Sequence, residues 1–419
     1  MLTVLRQRDF ALLWFAGLVS ITGDWMLVVA LPITVYELTG SALATGAILI
    51  ANKLAALILG SVAGVFVDRW DRKRTMVIAN LIRGPALLLL LAVNSADRVW
   101  LVYVVAVVMS AVGQFFRPAE NALLPRLVGK EHLVPANALN ALNDNLGRLA
   151  GPALGGLVAA WIGLGGVAIV DAASFLVAAG MIAAIGAPAR MEHAMPPEAD
   201  GPAAAESAIW RAWLAGLRMV WERPVVRVVF GVFAIASIGE GVMQTAFWIF
   251  VDETLGGGAR EAGWLISAQA IGGFAGAWVI GSWGKARPPV TLLAWGSIGI
   301  GLCDLMLFNY PAFVSGIGLG LLFMGLAGIP ATAFGTGYLS ALQADVDDAY
   351  RGRVFGALLA TSALFMIIGA AFAGVATAQL GAVTVLTIDA VGYIAGGLFA
   401  LTALATGAAR FGHKELTTS

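Results

Sequence analysis

Apolar residues occur along this chain in long runs that short groups of Gly, Pro and charged residues interrupt. A helix needs roughly 20 to 25 apolar residues to cross the hydrocarbon core of a bilayer. The runs and their breaks therefore predict twelve membrane-spanning helices. The predicted ranges are 11–36, 43–67, 75–93, 99–123, 137–161, 165–187, 226–250, 262–283, 290–308, 312–338, 354–379 and 382–407.

The longest polar stretch divides these spans into two sets of six. It covers 189–225 and opens with the Pro- and Glu-containing segment MEHAMPPEADGPAAAE. Within it, Trp and Leu recur at helical spacing opposite Arg over 208–222, which predicts an amphipathic helix, either at the membrane surface or packed on the inner face of the bundle. We predict an N-terminal six-helix bundle at 1–188, a linker at 189–225 and a C-terminal six-helix bundle at 226–419.

The two halves resemble each other at a nearly constant offset. Ser20 to Gly40 matches Ser237 to Gly257 at an offset of 217, and Gly151 to Asp171 matches Gly369 to Asp389 at an offset of 218. A register kept over much of each half is typical of a duplicated transporter fold. The fold class that we predict is therefore all-α and integral to the membrane, with two homologous six-helix bundles in parallel orientation.

Composition limits the remaining functions. The chain has 419 residues, of which 60% are hydrophobic and 12% charged, so no sizeable soluble domain fits beside twelve spans. A net charge of zero gives no field for nucleic acid, and the single cysteine, Cys303, excludes an internal disulfide and a multi-cysteine metal site. No nucleotide-binding loop or catalytic motif occurs. We expect no enzyme activity, no cofactor and no metal, and a monomer whose partners are lipid, protons and a small molecule.

Positive charge predicts the orientation in the membrane. Of the 25 basic residues, only Arg98 and Arg260 fall in the odd-numbered loops, and three lie within spans. Because loops that stay in the cytoplasm accumulate Lys and Arg, both termini are predicted to be cytoplasmic.

Ionisable residues inside the spans are candidates for function, since each costs about 2.5–3.5 kcal/mol to insert. Asp24 and Glu240 each lie roughly 20 Å deep, in equivalent spans of the two repeats. We predict that both carry protons, unless they are structural hydrogen-bonding groups. Asp144 is a third candidate, because it shares a helix face with Arg148 at i, i+4 in a pair that is either switching or fixed.

Polar residues near these acids are predicted to line a substrate cavity, the alternative being contacts between helices. They are Asn52, Lys53, Asn140, Asn143, Arg148, Gln244, Trp248 and Gln269. Lys53 is also a candidate for neutralising Asp24. Arg83, the matched pair Asp171 and Asp389, and the peripheral Asp304 are assigned to structural roles instead.

The loop after the second span reads GVFVDRWDRKR from Gly64 to Arg74. It resembles motif A of the major facilitator superfamily, G-x-L-A-D-R-x-G-R-R/K, with departures at Phe66, Val67 and Asp71. The matching residues are Gly64, Asp68, Arg69, Arg72 and Lys73. The resemblance implies that this cluster latches the two bundles together on the cytoplasmic side. The alternative is a simple positive-inside anchor.

The fifth span carries a glycine pattern similar to the end of motif C, G-x3-G-P-x2-G-G, which the superfamily associates with exporters. The matching residues are Gly147, Gly151, Pro152, Gly155 and Gly156. The resemblance implies that this glycine face packs against the eighth span, at a stretch that holds Gly272, Gly273 and Gly276. Ordinary packing of small residues is the alternative.

Four further segments, GDW in span 1, RPAENALLPRLV after span 4, VDAASFL in span 6 and YRGRV before span 11, are similar to the subgroup with macrolide efflux and enterobactin export proteins. This resemblance implies a proton-coupled antiporter in the bacterial inner membrane that exports amphipathic small molecules such as drugs by alternating access. Export of a siderophore or lysophospholipid, including flippase activity, and proton-coupled import remain alternatives. A non-transporting membrane sensor is a further one.

Overall fold

Long helices dominate the computed structural model of this protein, which describes residues 2–67, 70–186, 223–284, 287–346 and 348–406. No strand occurs within those ranges. Helices satisfy their own backbone amides, which lipid cannot do, so an all-helical architecture fits the apolar composition. The predicted amphipathic helix at 208–222, together with Asp68 and Arg69, lies outside the described residues.

Six helices form the first half, after a one-turn helix at Leu2–Leu5. They are α1 (Arg8–Thr39), α2 (Ala42–Val67), α3 (Arg72–Leu88), α4 (Trp100–Val128), α5 (133–162) and α6 (164–183). Glycine ends α1, because Gly40 adopts a left-handed conformation in which its N–H reaches the carbonyl of Tyr36. Asp71 begins α3 as an N-cap, since its side chain accepts from the backbone N–H of Arg74.

The second half repeats this pattern. Its helices are α7 (Pro224–Ile249), α8 (Ala259–Trp283), α9 (Pro289–Asn309), α10 (Gly318–Asp345), α11 (Asp348–Leu380) and α12 (Ala382–Ala405). Proline stands at the start of α7 and of α9, where its missing N–H has no helical partner to lose. A π-helical turn at Phe250–Thr254 extends α7.

The helix Leu133–Ala183 is two spans divided at Gly163. The described residues contain eleven helices that are long and apolar enough to cross a membrane, and this one alone has 51 residues. Gly163 has a φ of 76°, which a residue with a side chain rarely adopts. The middle of α1 contacts both Gly151 before the break and Asp171 after it, so the chain reverses direction there. Gly381, with a φ of 79°, makes the equivalent turn between α11 and α12. The twelve predicted spans are thus confirmed.

Close contacts at equivalent places show the duplication in three dimensions. A Cβ on Gly23 would overlap the carboxylate of Asp171, and one on Gly239 would overlap that of Asp389. These contacts set an offset of 216 between the middles of α1 and α7. The offset of 217 expected from the sequence is therefore one residue too large here, and Asp24 corresponds to Glu240.

The two bundles meet in one half of the molecule. We call the end with the first residue of α1 and the last residues of α6 and α12 the terminal face, and the opposite end the distal face. Ser267 Oγ of α8 donates to the carbonyl of Leu149 in α5 at 2.7 Å. The hydroxyl of Tyr36 in α1 donates to Glu253, just beyond α7. Both contacts lie in the distal half, so the bundles are joined there.

The glycine face of α5 has a different partner from the one expected. A Cβ on Gly147, Gly151 or Gly155 would overlap atoms of α1, in the segment 21–26. The predicted packing of these three glycines on α8 is wrong, and Gly272 and Gly276 pack on α10 instead. Two residues of the motif C-like group do contact α8. A Cβ added at Gly156 would overlap the carbonyl of Ala259, and a Cβ added at Gly263 of α8 would overlap the carbonyl of Pro152. The orientation of α5 about its own axis thus turns Gly147, Gly151 and Gly155 toward α1 rather than α8.

We expect Gly151→Leu to destabilise the N-terminal bundle. A Cβ there would lie 2.8 Å from the carbonyl oxygen of Thr22 and closer still to the Cβ of Trp25, so α1 must move. Overpacking of this kind costs about 1–3 kcal/mol. Thermal unfolding of the purified protein measures the effect. Gly180→Ala on α6 is the matched control, since a Cβ there meets nothing within 4 Å. Equal melting temperatures for the two variants would contradict the packing.

Candidate functional site

A cavity of about 590 Å³ lies between the two bundles, and Asp24 and Glu240 both line it. Six of the eight residues predicted for a substrate cavity also line it: Asn52, Lys53, Arg148, Gln244, Trp248 and Gln269. Most of the remaining lining is apolar or aromatic, and a few polar groups converge on it. This combination is the usual form of a small-molecule site.

Three predicted site residues lie elsewhere. Asn143 is buried in the N-terminal bundle, where its amide donates to the carbonyl of Trp14 at 2.8 Å. Asn140 and Asp144 do not line the cavity, and the side chain of Asp144 is exposed. The helical spacing of α5 explains the difference, because Arg148 points to the cavity whereas Asn143 points to α1.

Arg148 joins the two bundles at the edge of the cavity. Its Nη2 donates to Oε1 of Gln269 in α8 at 3.0 Å, and its guanidinium carbon lies 5.8 Å from the ring centroid of Trp25. No ion pair to Asp144 forms, although both residues are described. The expected i, i+4 pair is replaced by a hydrogen bond between the bundles.

Asp24 belongs to a charged cluster inside the N-terminal bundle. The cations whose charge acts on it are Arg83 and Arg117 rather than Lys53. The charge of Arg83 acts on Asp171 as well, so one guanidinium serves two carboxylates. Asp171 is fully buried, and its Oδ1 accepts from Ser174 at 3.0 Å. The structural role assigned to Arg83 and Asp171 therefore includes neutralising charge beside the cavity.

Packing fixes the guanidinium of Arg83 in place. Its Nη2 donates to the carbonyl of Met109 at 3.2 Å. Its Cζ lies 5.6 Å from the ring centroid of Phe116 and 5.3 Å from that of Phe175. Cation–π contacts and a partly buried hydrogen bond stabilise the charge of this guanidinium inside the bundle.

The C-terminal bundle places three carboxylates on the cavity. Glu240 is exposed to it, and its Oε1 accepts from the amide of Gln244 at 2.6 Å. Asp304 of α9 and Asp389 of α12 line the same cavity. The prediction that Asp304 is peripheral is therefore wrong, and Asp389, assigned to a structural role, also reaches the cavity. In the sequence, the signal for Asp389 is its match with Asp171 in the repeat, which does not by itself distinguish a structural carboxylate from one on the cavity.

The described part of the motif A-like segment bonds within its own bundle. Arg72 donates to the carbonyl of Ala122 in α4 at 3.1 Å. Lys73 donates to the carbonyl of Ile185 at 2.6 Å, just beyond the last turn of α6. A cation at a helix C-terminus satisfies free carbonyls and complements the helix dipole. These bonds hold the terminal ends of α3, α4 and α6 together.

Comparisons with known proteins agree with this architecture. The family model of the Major Facilitator Superfamily matches residues 13–251. The multidrug efflux pump Tap of Mycolicibacterium fortuitum is 27% identical over 85% of this chain and 86% of its own. The enterobactin exporter EntS of Shigella boydii serotype 18 is 27% identical over 87% of this chain and 84% of its own. A crystal structure of a mutant nucleoside transporter NupG superposes with a TM-score of 0.76 at 13% identity, over 94% and 99% of the two chains.

We expect Arg83→Met to destabilise the protein, because the half-buried Asp24 and the buried Asp171 lose a cation whose charge acts on both. Leaving a buried charge without its partner costs up to about 3–5 kcal/mol. Adding Asp171→Asn to this variant should restore part of the loss. Arg98→Met, at an exposed position near the distal face, is the control. Denaturation of the purified wild type and these three variants measures the effect. An unchanged stability of Arg83→Met would refute the shared role of this guanidinium.

Proposed function

The chain belongs to the major facilitator superfamily, and we propose that it is a proton-coupled exporter of amphipathic small molecules such as drugs. It is a multi-pass membrane transport protein rather than an enzyme. The observation that carries the proposal is the pair Asp24 and Glu240, at equivalent positions of α1 and α7 on one cavity between the bundles. Carboxylates at these positions can exchange protons in the same cavity that holds the substrate.

Asp24 is the primary proton carrier in this proposal. Its side chain is half-buried in the wall of the cavity. When Asp24 is ionised, Arg83 divides its charge between Asp24 and Asp171. When Asp24 is protonated, Asp171 is the one carboxylate of this pair that still balances the charge of Arg83. Each proton therefore changes the electrostatic balance of the N-terminal bundle. Glu240 takes a second, weaker part, and Asp144 has none because it lies outside the cavity.

The direction of transport rests on relatives rather than on geometry. A fold does not encode export or import. Two similar proteins over most of the chain are described as a multidrug efflux pump and an enterobactin exporter. Export is therefore favoured over import by the same fold. The glycine pattern of α5 no longer adds to this argument, because three of its glycines pack on α1.

In this proposal the protein works by alternating access, which the joint between the bundles supports. The contacts between them lie in the distal half, which closes the cavity on that side. With cytoplasmic termini, this arrangement is inward-facing. In our proposal, closure of the opposite side brings the motif A-like residues Gly64, Asp68 and Arg69 toward the other bundle as a latch.

Asp24→Asn should abolish proton-driven transport. The amide cannot exchange a proton, so an imposed pH gradient should no longer drive accumulation of fluorescent drugs in inverted vesicles, a loss of tenfold or more. Drug exchange down its own gradient should continue. Glu240→Gln should reduce accumulation less. Asp97→Asn, exposed near the distal face, is the control. Concentrative transport at the wild-type rate by Asp24→Asn would overturn the assignment.

Tyr36→Phe should weaken closure of the distal face. The substitution removes the hydroxyl that donates to Glu253 across the bundles. One hydrogen bond contributes about 1 kcal/mol, so the ratio of closed to open molecules should fall by about fivefold. Distances between spin labels on the distal ends of α2 and α11 measure this ratio. Thr39→Val is the control, because the hydroxyl of Thr39 bonds only to the backbone of Val35 and Ser41 in its own bundle. Identical distance distributions for Tyr36→Phe and the wild type would rule out a role in closure.

A further inference from the structure

The two bundles build the same framework around different charges. A Cβ on Gly84 would lie 3.2 Å from the carbonyl oxygen of Ala172, and one on Gly301 would overlap that of Ala390. This equivalence places Ile300 of α9 where α3 has Arg83. The cation that neutralises the N-terminal cluster therefore has no counterpart at the equivalent position.

One turn beyond Ile300, on the same face of α9, stands Asp304. The charges of Glu240, Asp304 and Asp389 act on one another, and no described Lys or Arg of the C-terminal bundle lines the cavity. Asp304 is 7% exposed, faces the cavity and has no hydrogen bond with a described residue. A carboxylate this buried is normally paired. A partner supplied by a ligand would complete the site.

Aromatic rings form the adjacent wall of the cavity. Phe233 and Phe334 both line it, and their ring centroids lie 6.2 Å apart in a stacked arrangement. Tyr393 also lines it, with its hydroxyl bonded to the carbonyl of Ala236 at 3.1 Å. Aromatic faces attract cations and accept apolar bodies. Carboxylates beside aromatic rings are suited to an organic cation.

The spacing of the acids disfavours a metal ion as the ligand. Among the described residues, no group of three or more Asp, Glu, His or Cys side chains could hold one. On the opposite wall, Lys53 and Arg148 repel positive charge. A cationic group entering the cavity is therefore directed to the C-terminal bundle.

We propose that Glu240, Asp304 and Asp389 bind the cationic group of an organic substrate, with Phe233 and Phe334 against its apolar body. The inference rests on the proposed function, because it assigns the substrate class of the same cavity. It gives Glu240 a second task, since the C-terminal acids hold substrate while Asp24, beside Arg83, remains the primary proton carrier. Binding at equilibrium tests it without requiring transport.

The test uses tetraphenylphosphonium, a permanent cation, and tetraphenylborate, an anion of nearly the same shape. Calorimetry on the full chain in nanodiscs of zwitterionic lipid measures both. We expect the wild type to bind the cation in preference to the anion. Asp304→Asn and Asp389→Asn should each weaken cation binding by about tenfold or more, as for loss of a charge-assisted contact. Binding of the anion should not weaken, which shows that the variants are folded.

Asp24→Asn separates this inference from the proposed function. It should bind the phosphonium within about twofold of the wild type even if it no longer couples transport to protons. Equal binding by the wild type and both aspartate variants would overturn the inference, as would a wild type that does not bind the cation. Loss of cation binding in Asp24→Asn alone would place the site in the N-terminal bundle. Failure of proton-driven transport in the wild type would instead refute the proposed function.

Discussion

Close packing against helix backbone at glycine positions is the constraint on which this structure depends. Gly23 and Gly239 admit the carboxylates of Asp171 and Asp389 against α1 and α7, where any Cβ would overlap them. Gly151 lets α5 lie on the backbone of α1 at the same depth. Small residues at such contacts allow the dispersion attraction that holds helices together in lipid, where the hydrophobic effect contributes little. The acids of α1 and α7 reach the cavity because this packing fixes the rotation of both helices.

The duplicated framework makes the chemical difference between the bundles interpretable. With matched backbones, the change from Arg83 to Ile300 alters charge more than shape. The N-terminal cluster then holds the carboxylates of Asp24 and Asp171 around Arg83, with Arg117 also acting on Asp24, whereas the C-terminal cluster holds three carboxylates and no cation among the described residues. The two bundles, although duplicated, thus give the cavity two walls that differ in charge. Such a cavity orients a charged substrate before any specific contact forms.

The sequence predicted the spans, the repeat and the acids Asp24 and Glu240 in the equivalent spans α1 and α7. The length of the apolar runs and the similarity of the two halves are strong signals for these features. It did not predict that Asp304 faces the cavity or that Gly151 packs on α1. Both errors concern the rotation of a helix about its axis. In a soluble protein the polar side of a helix reports its rotation. Here lipid and interior are both apolar, so the sequence gives little sign of which face is which, and only the packing decides.

The joint between the bundles indicates how the cavity changes sides. At its distal end α5 approaches α8 backbone to backbone, as Gly156 against Ala259 and Gly263 against Pro152. Nearer the middle, side chains make the contacts: Ser267 bonds to the carbonyl of Leu149, and the long side chain of Arg148 reaches Gln269. The two helices therefore diverge toward the terminal face, and the cavity fills the space between them. Because glycine contacts hold α1 rigidly to α5 and α6, the bundle must move as one body. Closing the terminal side then requires breaking the distal contacts, which include only a few hydrogen bonds such as that of Tyr36 with Glu253.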